Sequence, residues 1–118
     1  MKTLATALLL MLPALPVAAG DARITAVETR QDGDGWRFDV TVAHDDTGWD
    51  HYADAWQVLA PDGTVLGTRE LLHPHVEEQP FTRSLGGVAI PADLDRVTMR
   101  ARDSVHGWGP AFEVTLPR

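Results

Sequence analysis

Apolar and polar positions alternate along most of the chain after its first twenty residues. WRFDVTVAH places Trp36, Phe38, Val40 and Val42 on one face and Arg37, Asp39 and Thr41 on the other, the period-two signature of a half-buried strand. VTMRARD repeats the pattern, with Val97, Met99 and Ala101 set against Thr98, Arg100 and Arg102, and AFEVTLP does so with Phe112, Val114 and Leu116. AWQVLA carries Trp56, Val58 and Ala60 at the same spacing. It runs through Pro61-Asp62-Gly63 into TVLGTRELL, which reads as a hairpin. RITAVETR and FTRSLGGVAI complete the set, and Gly86-Gly87 marks a bulge or a close backbone approach. GWDHYADAW, residues 48–56, has room for one helical turn at most. The pattern predicts an all-β fold, a single seven-stranded antiparallel β-sandwich.

The amino terminus follows a different pattern. Lys2, the apolar run Leu4 to Leu12, the breaks at Pro13 and Pro16, and the small residues Val17-Ala18-Ala19 together read as a cleaved signal peptide, residues 1–19. The apolar run is shorter than the roughly 20 residues that span a bilayer, so no membrane insertion is expected after cleavage. Residues 20–118 then form one small domain, periplasmic or secreted. The chain has no cysteine, which removes disulfides, thiol catalysis, thiolate ligation and attachment of a lipid to a cysteine after the leader. Its formal charge is −7, and loss of Lys2 with the leader makes it more negative. Phosphate backbones repel such a surface, so nucleic acid is not an expected partner.

VTMRARDSVHGWGP resembles the F strand and F–G loop of fibronectin type III and related immunoglobulin-like modules, in which an alternating strand leads into a G-x-G-x-P-like loop. Leu94 and Val97 lie near where that family carries a leucine and a corner tyrosine; the tyrosine is missing here. Trp36 and Trp56 match its core tryptophans. The resemblance implies a fold and no activity. GWDHYAD, HPHVEEQPFTRS and RARDSVHGWG are also similar to segments of a group of small exported bacterial proteins of unknown function.

In an antiparallel sandwich of this type, successive loops alternate between the two ends. Loops near residues 44–54, 73–80 and 104–110 therefore share one end, and all five histidines fall in them: His44, His51, His73, His75 and His106. Asp50, Glu77, Trp49 and Trp108 belong to the same end. His73 precedes a proline, which biases it toward an extended backbone, and in an extended chain residues i and i+2 point the same way. His73 and His75 are thus predicted to grip one ion, joined by His51 and His106, with His44, Asp50 and Glu77 as supplementary ligands. Imidazole suits zinc, copper, nickel and iron, and with no thiolate the expected ion is Zn(II) or Cu(II). Trp49 and Trp108 are expected to supply apolar contact.

Each feature also has a plainer explanation. A His-Pro-His loop is commonly a solvated loop, acids in loops are commonly solvated, and Trp49 and Trp108 can simply cover the open end of a small core. Asp103, Ser104 and His106 include the residue types of a hydrolytic triad, but they fall within four positions and lack a nucleophile elbow. His106-Gly107-Trp108 is similar to an H-G-x-W-like segment of superoxide reductases, immunoglobulin-like sandwiches with a histidine-rich iron site. That site also uses a cysteine, which this chain lacks, and its histidine motifs come in a different order, so no activity is carried over. The expectation is an exported, non-catalytic binding module for a divalent metal. The alternative is a structural or accessory envelope protein that binds another envelope protein through the same rim, with no metal.

Overall fold

The computed structural model describes residues 21–118; the expected leader and its cleavage point after Ala19 lie outside them. The described residues are all-β, with no helix. The strands are β1 (Arg23–Asp32), β2 (Gly35–Ala43), β3 (Ala53–Leu59), β4 (Val65–Glu70), β5 (Phe81–Val88), β6 (Arg96–Asp103), β7 (Gly107–Trp108) and β8 (Phe112–Thr115). They form two antiparallel sheets: one in the order β1-β2-β5, the other β4-β3-β6-β7 with β8 also paired to β6. The expected count was seven. An additional strand, β7, forms inside the segment expected as a loop, where Arg102 pairs with Trp108 and Asp103 with Gly107. Residues 48–56 hold no helical turn: Gly48 and His51 form an isolated bridge and β3 begins at Ala53.

The alternation in the sequence becomes the core. Trp36, Phe38, Val40 and Val42 of β2 face Val97, Met99 and Ala101 of β6 across the two sheets, and Trp56, Val58, Phe81, Val88 and Val114 fill the space between. Removing each such side chain from water contributes about 1.5–3 kcal/mol. On β5 the partner of Trp36 is Val88 and the partner of Phe38 is Leu85, so Gly86-Gly87 forms a bulge opposite Arg37. Gly87 takes φ 66° there, a conformation open to glycine at little cost. Gly35 has to be small for a different reason: a Cβ on it would lie 2.9 Å from the Cα of Gly87.

Parity along β2 and β6 also decides what closes the core. Trp36, Phe38, Val40 and Val42 point inward, and the next inward position is His44. Val97, Met99 and Ala101 point inward, and the next is Asp103. Both polar residues are buried, His44 at 5% exposure and Asp103 at 1%. The hydrophobic interior therefore ends, between the sheets, in an imidazole and a carboxylate.

Candidate metal centre

Three segments deliver side chains to this end of the core: residues 44–52 between β2 and β3, the carboxyl end of β6, and the β6–β7 turn. Asp103 is at the centre. Its Oδ1 accepts the backbone N–H groups of Val105 at 2.8 Å and His106 at 2.6 Å, which folds the turn around the carboxylate. The Nδ1 of His106 lies 3.2 Å from the same oxygen and the Nε2 of His51 lies 3.3 Å from it. The Nε2 of His44 stands 4.0 Å from Oδ2. The rings of His44 and His51 are 4.9 Å apart, and those of His51 and His106 are 5.0 Å apart.

Two groups of donors share Asp103. His44, His51 and Asp103 form one; Asp21, Asp103 and His106 form the other; within each group the potential ligand atoms all lie within 4.8 Å of one another. Asp21 reaches the site because Ala22 next to it is fully buried, with its carbonyl oxygen pressed against Gly109. Burial pushes the Asp103 carboxyl upward, but the His106 and Val105 amides and the His106 and His44 imidazoles outweigh it. Its pKa is held below the usual carboxylate value, so it is ionised at neutral pH. The Oδ2 of Asp103 and the Nε2 of His51 are nonetheless buried without an aligned hydrogen bond. A cation held between them would satisfy the carboxylate oxygen and, with the ring proton on Nδ1, the Nε2 of His51.

His73 and His75 lie together, with rings 4.5 Å apart, as their i, i+2 spacing implied. They do not belong to either three-donor group among the described residues. The His75 ring stacks on Phe81 with centroids 3.9 Å apart, and its Nε2 is 2.7 Å from Nη2 of Arg83. Arg83 donates there, so the coordinating lone pair is engaged by a cation. Burial first, then Arg83 and His73, lower the pKa of His75, against the opposing pull of Glu78 and Asp46.

Asp50 and Glu77 are exposed and outside both donor groups. Trp49 is 68% exposed and meets Tyr52 edge-on at 5.6 Å. Trp108 is half-buried beneath the Arg100 guanidinium, 4.1 Å from its ring. The central carboxylate was not among the ligands expected from the sequence, nor was Asp21. The signal for Asp103 was strand parity: it continues the inward series Val97, Met99, Ala101. No local sequence signal marks Asp21.

No family model matches the chain. A "Putative lipoprotein" of Halomicrobium mukohataei is 49% identical over 72 residues, which make up 61% of this chain and 35% of that protein. The chain thus spans about a third of that relative's length. The crystal structure of a hypothetical protein from Pyrococcus horikoshii OT3 matches with a TM-score of 0.57 at 16% identity, covering 86% of this chain and 96% of that one, which shows a shared fold and nothing about activity.

Proposed function

We propose that the chain is an exported, non-catalytic binding module that holds a divalent transition-metal ion at the end of its core through His44, His51, His106 and Asp103, with Asp21 as a further oxygen donor. One observation carries the reading: a buried, ionised carboxylate is approached by three imidazoles, two from the segment joining β2 to β3 and one from the β6–β7 turn, and Oδ2 of Asp103 and Nε2 of His51 lack hydrogen-bond partners. Nitrogen and carboxylate donors without thiolate favour Zn(II) or Cu(II) over a soft ion such as Cu(I). The sheet orders β1-β2-β5 and β4-β3-β6 support an immunoglobulin or fibronectin III type of sandwich. The Halomicrobium relative's description supports an exported, envelope-associated setting. This chain has no cysteine to carry a lipid of its own.

The test is titration of tag-free protein with Zn(II) and with Cu(II), following tryptophan fluorescence and melting temperature. A ligand that binds only the folded state stabilises it by about 2.7 kcal/mol at a hundredfold excess over its dissociation constant. The expected result is a rise in melting temperature that is lost in His51→Ala and Asp103→Asn. No rise with either ion overturns the reading.

A second reading, contact with another envelope protein through the same rim, is favoured by a specific feature. Trp49, Leu72, Val76 and Val105 are exposed large apolar residues, and all four lie on the segments joining β2 to β3, β4 to β5 and β6 to β7. Apolar residues grouped in this way are a usual mark of an interaction surface. Metal-independent association abolished by Trp49→Ala with Leu72→Ala would favour this reading.

A further inference from the structure

His44 stands between two networks. On one side its Nε2 is turned toward Asp103. On the other its Nδ1 lies 2.5 Å from Oδ1 of the buried Asp46. Asp46 holds more than this ring: its Oδ1 also accepts the amide of Ala53 at 2.9 Å, at the start of β3, and its Oδ2 accepts the amide of His75 at 2.7 Å. The β4–β5 loop is fastened a second time by Gln79. The Oε1 of Gln79 accepts the amide of His44 at 3.0 Å, and its Nε2 donates to the carbonyl of His75 at 2.9 Å.

We propose that Asp46 is the positioning residue of this centre: it sets the His44 tautomer that coordinates through Nε2, and it couples the His73-Pro74-His75 loop to metal occupancy. The inference rests on the metal reading above and gives the conspicuous His-Pro-His stretch a role other than ligation. A carboxylate can only accept, so the ring proton is held on Nδ1 and the Nε2 lone pair is directed to the ion. An ion on Nε2 draws electron density from the ring and makes the Nδ1 proton a stronger donor to Asp46. The same carboxylate carries the amides of Ala53 and His75. Metal binding therefore tightens the loop, and by reciprocity any partner that pulls the loop away weakens the metal.

Asp46→Asn is the discriminating variant. An asparagine that presents its NH2 to Nδ1 keeps its oxygen for the His75 amide and gives up the acceptor of the Ala53 amide; the NH2 moves the ring proton onto Nε2 and blocks coordination. The expected result is a 10- to 100-fold weaker Zn(II) affinity, on the scale found for partners that orient ligating histidines. ¹⁵N chemical shifts should show the His44 proton moving from Nδ1 to Nε2. In wild-type protein, added Zn(II) should slow hydrogen exchange at the Ala53 and His75 amides, and should fail to do so in Asp103→Ala. Should Asp46→Asn not fold, the wild-type shifts and exchange rates still decide. A His44 proton on Nε2 in metal-free wild type overturns the proposal, as does unchanged exchange at both amides while Zn(II) binds. If wild type binds no Zn(II), the metal reading falls, and the coupling of the loop to the metal falls with it; the metal-free tautomer then reports only on whether Asp46 orients His44.

Discussion

The Nε2 of His44 lies 4.0 Å from the Oδ2 of Asp103, although one residue follows β2 and the other ends β6, strands of different sheets. Neither sits in a solvated loop. Each continues an inward-facing series of apolar side chains by one more step, so the pair forms the last layer of the core.

Asp103 serves both the fold and the site, and two substitutions should separate those roles. Asp103→Ala leaves the amides of Val105 and His106 without their acceptor and is expected to cost about 1–3 kcal/mol in urea denaturation. Asp103→Asn keeps an acceptor oxygen and should cost less than half as much. Both should abolish metal binding by calorimetry.

Gly109 is where the amino-terminal segment meets the second sheet. A Cβ there would lie 2.0 Å from the carbonyl oxygen of Ala22, a backbone atom that cannot move alone. Gly109→Ala should therefore destabilise by about 1–3 kcal/mol, the usual range for overpacking. It should also release Asp21 from the site. Gly86→Ala, where an added Cβ has no neighbour within 4 Å, is the control. Equal melting temperatures for the two variants would count against the close packing at Ala22.

Acid should loosen the loop that carries His75. The pKa of this residue is lowered in the fold from 6.5, by burial first and by Arg83 next. The unfolded chain therefore takes up the proton more readily than the folded one. Stability owed to neutral His75 is complete above pH 6.5 and is lost as pH falls below it toward the folded value. Arg83→Gln removes the second cause and should make the decline shallower; His75→Gln should remove this component. Asp103, also lowered, changes stability only at lower pH: its contribution is complete above its ordinary value of 3.8 and is lost as pH falls below it. Melting temperatures of wild type and His75→Gln, compared between about pH 7.5 and 5, isolate the His75 component by difference.

Arg100 links the outer face of the second sheet to Trp108. Its guanidinium lies over the indole ring at 4.1 Å and donates twice to Oε1 of Gln57, at 3.2 and 2.9 Å. Arg100→Gln should remove a cation–π contact of about 0.5–1 kcal/mol and change the Trp108 emission. An unchanged spectrum would place the indole elsewhere.

The period-two alternation of WRFDVTVAH and VTMRARD was enough to determine that the chain forms paired strands and which side chains enter the core, because a strand turns successive residues to opposite faces by covalent geometry alone. The reversal of direction at each connection was enough to group the histidine-bearing loops. Which donors meet was decided only by tertiary structure. The pairing of Ala53 with Asp103 and the β6–β7 turn bring His51 and His106 to one carboxylate, while Arg83, from a neighbouring strand, occupies His75. Strand register and the direction of each ring depend on contacts between residues remote in sequence, and no local pattern encodes them.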